Sequence, residues 1–406
     1  MIKKLVAVLL ALVVLLALPI LLSESMLNAS VQMLIAALFA TAFALLCGQA
    51  GMLSFGHAAY FGLGAFATVH AMNAFDGNGL LPTPLLPLAG GAVGLLAGLG
   101  AGYFSAKRSG TYFAMITLAL AELLHALAPH LKGIFGGEAG VSSFRMPAWG
   151  FDFGSTTEIY YLVLAWTVLC IGLLWALTFT PFGRLALGLR ENKHRLKFLG
   201  YNTHLLATLV FALSAAFAGI AGSLQALNIE AANYVVLETH VSTAVLLNTF
   251  IGGAKVFFGP VIGAAAMTFF GHVTSDLTRS WLLYQGVIFM LVMMYLPRGI
   301  VGEITARLKG EGGAINPVNL LGRFTGVAVA AAGFILAIEL IQRFFSTDYK
   351  AARQAGGWPS VAFAGHDWSP FAFVTWALPL ALIVLGLGLL TYINRRELRL
   401  QQEAQV

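Results

Sequence analysis

Twelve apolar runs recur along this 406-residue chain, most of them close to the length a helix needs to cross a bilayer. A hydrocarbon layer about 30 Å thick takes about 20 helical residues. The runs are 5–22, 31–47, 57–75, 86–106, 111–128, 158–180, 204–227, 240–254, 257–275, 281–297, 321–342 and 371–393. The short run 240–254 is the weakest fit and reads as a full span or a half-helix. Composition leaves little alternative. The chain is 59% hydrophobic and 10% charged, whereas a soluble domain carries about 25% charged residues. An all-α, polytopic integral membrane protein is the expected fold class, and 45 glycines agree with it, since membrane helices use glycine more than soluble ones do.

Charge placement tests the count. Lys3 and Lys4 precede the first run, Lys107 and Arg108 follow the fourth, and Arg184, Arg190, Lys193, Arg195 and Lys197 follow the sixth. Arg298, Arg307 and Lys309 follow the tenth, and Arg395, Arg396 and Arg399 follow the twelfth. With twelve spans and cytoplasmic N- and C-termini, every block lies inside. Dropping one span would put a basic block outside. The outer loops are then 23–30, 76–85, 129–157, 228–239, 276–280 and 343–370, with scattered bases such as Lys132 and Arg145. The net charge of +6 is thus an orientation signal and not a nucleic-acid signal. The N-terminus, MIKKLVAVLLALVVLLALPILL, has the basic start and apolar core of a signal peptide. No small-x-small cleavage pattern follows, so it reads as an uncleaved first helix. Cys47 and Cys170 lie in apolar runs and read as small core residues.

Between the second and third runs, Gly48 to Phe66 reads GQAGMLSFGHAAYFGLGAF. Five glycines, Gln49, Ser54 and His57 crowd a place where a bilayer favours uninterrupted apolar helix. Loosened backbone at membrane depth is tolerated only where protein or a wet path satisfies its N–H and C=O groups. The segment therefore points to a transport path, and the charge count places its start near the inner mouth. Gly48, Gly51, Ser54, Gly56 and His57 are its candidates for path or hinge, joined by Thr117. Glu122, inside the fifth run, is a costly carboxylate. It reads equally as a functional group or as an interhelical contact beside His125.

Gly90, Gly94, Gly98 and Gly102 recur every four residues and make one smooth helix face for close packing. The stretch 181–203, PFGRLALGLRENKHRLKFLGYNT, reads as an amphipathic helix on the membrane. Leu185, Leu189, Leu196 and Leu199 would dock it, with Arg190, Glu191, Lys193 and Lys197 facing the cytosol. It serves either as a positive-inside anchor or as a docking element for a cytosolic partner, and composition does not choose. Other readings fall away. The dinucleotide-like pattern from Gly62 to Ala67 lies inside a span with no preceding strand. Ser54 and His57 lack an oxyanion partner for a hydrolase. The nine histidines lack metal-ligand spacing, so no metal or cofactor is expected. No Gly-Lys dipeptide occurs, so there is no Walker A loop. The chain is not expected to be an enzyme.

Four blocks then carry a resemblance: GQAGMLSFGHAAYFGLGAF; SGTYFAMITLALAELL leading to GGEAGVS; GRLALGLRENKHRLKFLGYN running into LVFALSAAFAGIAGSLQAL; and IGGAKVFFGPVIGA followed by YLPRGIVG. In order and spacing they resemble the LivM-type permease subunit of branched-chain amino acid ABC importers, over roughly residues 1–305. The resemblance implies a second permease subunit of the LivH kind, two ATP-binding subunits and a periplasmic substrate-binding protein, in the bacterial cytoplasmic membrane. It also tips the basic stretch toward a coupling loop for the ATPase, with Arg184, Arg190, Glu191, Asn192 and Gly200 as the matching positions. The substrate class it implies is branched-chain amino acids or related amino acid and amide solutes.

The chain departs from this pattern twice. Lys255 stands where the family usually has a small residue, so its charge is expected to face the cytosol or a polar cavity. Residues 306–406 extend beyond the family's usual end as a second region with two spans and an outer loop. There Trp358, Trp368 and Phe371 suit an interfacial belt. An ion-gradient-driven secondary transporter is the competing reading. It predicts paired mid-membrane charges and internal repeats, of which only Glu122 stands out.

Overall fold

The computed structural model describes residues 13–74, 81–308, 317–363 and 365–403. Lys3, Lys4, Lys309, half of the 76–85 loop and both chain ends lie outside the described residues. The described chain is helical, with two short antiparallel ribbons in its loops. Contacts divide it into two units, one of residues 1–273 and 285–306, the other of 274–284 and 307–406.

In the first unit α1 (13–21) is followed by α2 (Glu24–Ala44), which ends in a π-turn, Leu45–Gln49. Then come α3 (His57–Ala74), α4 (Pro87–Ser105), α5 (Thr111–Leu127), the single turn α6 (Lys132–Phe135), α7 (Thr156–Phe179), α8 (Pro181–Phe198) and α9 (Thr203–Ile229). After α9 lie α10 (Thr239–Gly252), α11 (Gly259–Leu277), α12 (Trp281–Tyr295) and α13 (Ile300–Leu308). Local sequence sets several starts. Ser155 caps α7 by accepting from Glu158 N at 3.3 Å, and Thr180 caps α8 ahead of Pro181. Asn202 caps α9, accepting from His204 N and Leu205 N.

Helix α9 is the spine. Its 27 residues span about 40 Å, and α2, α3 and α4 pack along it. Apolar surface alone does not drive helices together in lipid, so close fit of small residues must. The Gly90–Gly102 stripe provides it. A Cβ on Gly94 would lie 2.5 Å from the Ala215 carbonyl oxygen, and one on Gly98 2.5 Å from Ala215 Cβ. On Gly102 it would lie 3.1 Å from Phe211 Cβ, and on Gly219 2.3 Å from the Gly90 oxygen. Gly64 of α3 meets Gly219 as closely, at 2.2 Å from its oxygen. Of the dinucleotide-like glycines, Gly64 thus lies in a helix seam, and a Cβ on Gly62 would meet Leu237 Cδ2 at 2.3 Å. Outside this seam, strands β1 (Val141–Ser142) and β2 (Ala231–Ala232) pair in antiparallel register. Arg145 fastens that junction, its Nε 2.9 Å from a Glu230 carboxylate oxygen.

In the second unit α14 (Pro317–Phe344) packs on α16 (Phe373–Glu403), again through small residues: a Cβ on Gly386 would lie 2.7 Å from Ala330 Cβ. Between them lie α15 (Thr347–Gly356), capped by Ser346, and a hairpin of β3 (Val361–Phe363) and β4 (His366–Trp368). Trp358 and Phe371 are exposed as an interfacial belt requires. Trp368 is buried, its indole N–H donating to the Phe363 carbonyl at 3.0 Å.

A described helix coincides with each of the twelve apolar runs, the first only in part. Seven helical stretches, taken by length and composition, suffice to cross a membrane among the described residues. Of the helices on the twelve runs, α1, α3, α5, α10 and α11 fall outside those seven. Helix α10 has 14 residues and so spans about 21 Å, less than the hydrocarbon core. The structure supports a polytopic helical membrane protein without fixing twelve crossings.

Candidate functional site

The break between α2 and α3 is bound to three other elements, each satisfying one of its backbone groups. The π-turn brings Gly48 to the end of α2, where its carbonyl accepts from the Arg190 guanidinium of α8. Gly51 follows at φ +69°, and a Cβ there would sit 2.7 Å from Arg190 Cγ. Here glycine is needed twice, for the left-handed backbone and for the space. Phe55 N donates to Thr117 Oγ1 of α5 at 3.3 Å, and Ala58 N to Ser242 Oγ of α10 at 2.8 Å. Ser54 Oγ accepts from Gly56 N at 3.3 Å. A Cβ on Gly56 would meet the Thr117 carbonyl oxygen at 2.0 Å. Non-helical backbone is thus supported by protein at every one of these groups.

His57 opens α3 and is wholly buried. Its Nε2 lies 2.8 Å from Ser214 Oγ, which lies 2.6 Å from the Ala42 carbonyl oxygen. The carbonyl only accepts, so the single hydroxyl proton goes to Ala42, and His57 must donate through Nε2–H. Rings of Phe39, Phe43, Tyr60 and Phe211 surround the imidazole, with centroids at 5.3–6.3 Å. His57 therefore ties α2, α3 and α9 together from inside the core.

A cavity of about 240 Å³ opens beside Gly48 and Gly51, and Arg190, Lys255 and Arg298 line it with no carboxylate among the lining residues. Lys255 thus lines a mostly apolar cavity together with two arginines. Arg190 is exposed, as expected, and its guanidinium also reaches the Gly48 carbonyl. Helix α8 is an elbow. Asn192 leaves helical geometry (φ −159°, ψ 96°), and its side chain accepts from Arg195 N at 2.9 Å, capping a second short leg. Leu196 on that leg is buried against Gly188. Gly200 ends it at φ +85°. Arg184, Glu191 and Asn192 are exposed. So are Phe198, at 91%, and Leu199.

Glu122 lies apart from the cavity. Its carboxylate accepts from the hydroxyl of Thr239, the first residue of α10, and His125 Nδ1 stands 4.0 Å away. A carboxylate there faces the positive end of a helix. The cavity borders the opposite end of α10, at Gly253, about 20 Å away. The path candidates therefore form a series along α10 and not one cluster. Ser214 and Ser242, which complete the break, carry no sequence signal because their partners lie 157 and 184 residues away.

Residues 25–297 match the family described as branched-chain amino acid transport system / permease component. This chain belongs to that family. It is 25% identical over 329 residues to the high-affinity branched-chain amino acid transport system permease protein LivM of Salmonella typhimurium, covering 74% of this chain and 76% of the relative. With the Escherichia coli LivM it shares 25% over 294 residues, 66% and 68% of the two chains. With a probable LivM of Methanocaldococcus jannaschii it shares 27% over 277 residues, 60% and 78%. No solved structure matches. Family membership supports the permease reading over the ion-gradient transporter. The match takes in the α2–α3 break, the elbow and α10, and ends before α13.

Proposed function

We propose that this chain is one of two permease subunits forming the path of an ATP-driven importer for branched-chain amino acids or related amino acid and amide solutes. The other parts are a LivH-like permease subunit, two ATP-binding subunits and a periplasmic substrate-binding protein. The assembly sits in the bacterial cytoplasmic membrane, with twelve spans of this chain and both termini on the cytoplasmic side. The observation that carries the reading is the bond from Arg190 to the Gly48 carbonyl. It links an exposed elbow to the one place where α2 departs from α-helical winding. The ATP-binding subunits press on the elbow through Arg184, Glu191, Asn192 and the exposed Phe198–Leu199 edge. Gly200 frees the chain to turn into α9. Closure of those subunits shifts α8, and Arg190 passes the shift to the π-turn, a form of helix common at functional positions. The break then re-aims α3 against α2, changing access. Gly48, Gly51, Ser54, Gly56, His57 and Thr117 form the joint, and Glu122 stands further along α10.

The test is uptake of labelled leucine into proteoliposomes holding both permeases and the ATP-binding subunits, with the binding protein outside and ATP within. ATP-dependent accumulation is expected. Arg190→Glu with Glu191→Ala should assemble in the membrane yet lose ATP-driven uptake. Full uptake by that double variant would remove the elbow from the coupling role, and uptake that ignores ATP would refute the importer.

A further inference from the structure

Within the second unit, an open cleft of about 740 Å³ lies between the 275–279 tip, the end of α14, α15 and β3. Its size is that of small-molecule sites. Five charged side chains line it: Asp276, Arg279, Glu339, Arg343 and Asp348. Their arrangement is graded by depth. Glu339 is 6% exposed, and its Oε1 accepts from the hydroxyls of Thr278 and, at 3.0 Å, Tyr284. Gln342, one turn closer to the rim, accepts from Ser280 Oγ at 2.7 Å. Asp276, Arg279 and Asp348 stand exposed at the rim.

Arg343 is the group whose bonding is incomplete. Its Nη1 donates to the Ala362 carbonyl at 3.3 Å, and the guanidinium lies 4.7 Å from the Phe363 ring centroid. These contacts hold the plane fixed. Its Nε lies 3.9 Å from Glu339 Oε2, beyond hydrogen-bond distance, and is buried without an acceptor. The Nε is closed off by protein, but the Arg343 side chain is 41% exposed, and a fixed guanidinium open to a cleft is a ready receptor for a carboxylate. Across the same cleft, Asp276 and Asp348 offer acceptors for an ammonium group.

We propose that this cleft binds a small zwitterionic solute of the α-amino acid class, its carboxylate on Arg343 and its ammonium on Asp276 and Asp348. Arg279 at the rim adds attraction for the carboxylate. Glu339 positions the site by holding the 278–284 segment to α14. The charge pattern stands on the cleft itself; only the choice of leucine as probe rests on the importer reading.

The measurement is equilibrium binding of radiolabelled leucine to the full chain in lipid nanodiscs. Saturable binding is expected, with Arg343→Ala and Asp348→Asn each weakening it about tenfold or more, or about 1.4 kcal/mol. Isocaproate, which lacks the ammonium, and isoamylamine, which lacks the carboxylate, should not compete. Asp348 is exposed, so its variant tests the site even where Arg343→Ala disturbs the hairpin. Absence of saturable binding, or binding by Asp348→Asn and Arg279→Ala equal to the parent's, overturns the proposal. ATP-driven leucine uptake separates the two readings. Uptake without this binding sinks the cleft alone, and binding without uptake sinks the importer alone.

Discussion

Two glycine-rich regions of the first unit use the same residue for opposite ends. Along the α4–α9 seam, Gly90, Gly94, Gly98, Gly102 and Gly219 all sit in regular helix, and what they contribute is nearness. In the α2–α3 break, Gly48, Gly51 and Gly56 interrupt the helix, and the space they leave is filled by groups from other elements: Arg190, the Ala254 carbonyl and the Thr117 carbonyl. The seam is helix packed closely on helix. At the break, backbone groups are hydrogen-bonded by the side chains of Arg190, Thr117 and Ser242, and each bond is a place where a distant element can pull. A rigid spine beside a pliable joint is the arrangement a change of access needs, since packed cores switch between states and do not bend continuously.

If that contrast is right, damage to the seam should cost folding and damage to the break should cost transport. The largest effect belongs to Gly219→Ala. Its Cβ would fall 2.3 Å from the Gly90 oxygen, with the Gly94 Cα at 3.3 Å, so two helices must move apart. A loss of about 3 kcal/mol is expected, read as lower thermal stability in detergent, with Gly219→Leu giving no monodisperse protein. Unchanged stability for the alanine variant would mean the seam is not as tight as described.

Gly51→Ala comes next. At φ +69° an alanine costs about 1–2 kcal/mol, and its methyl displaces Arg190. Uptake should fall more steeply than stability. Arg190→Lys, which keeps the charge without the fixed fork, should separate the two effects by lowering ATP-driven uptake with little change in melting temperature. Equal losses in both measurements would make the break a second seam.

Smaller again are Thr117→Val and Ser242→Ala. Each leaves one backbone N–H of the break without its partner, Phe55 in the first case and Ala58 in the second. A lost bond of this kind costs about 1 kcal/mol. The double variant should loosen the break enough to raise hydrogen exchange at residues 54–58, and protection that stays unchanged would show the break is held by packing alone.

How far these regions were legible follows from how local their cause is. The seam was visible because its period of four is a property of one helix read in order. The broken stretch was visible because glycine and polar residues stand out in an apolar run. Of the partners of the break, Thr117 was named with it, but Ser214 and Ser242 were not, since they are ordinary small polar residues in apolar helices and folding alone brings them to residues 42–58. Arg190 shows the same limit: amphipathic periodicity placed it on the exposed face, where it is, but its bond to the Gly48 carbonyl, 142 residues away, is made only by the fold. Glu339 escaped for another reason. It lies near the end of its apolar run, where a carboxylate looks like a rim charge, but the 278–284 segment covers it.

Gly100 supplies the smallest effect and the cleanest control. It lies on α4 among the seam glycines in sequence, but a Cβ there would meet nothing within 4 Å. Helical glycine costs about 0.5–1 kcal/mol relative to alanine through the freedom it has in the unfolded chain. With open space around it, Gly100→Ala should therefore stabilise slightly, by up to that amount, and leave uptake unchanged. A substitution two positions from Gly98 and Gly102 would then have the opposite sign to one at Gly219, although all are helical glycines. Destabilisation by Gly100→Ala would mean that a further surface packs on that face of α4, and that the seam is wider than α9 alone.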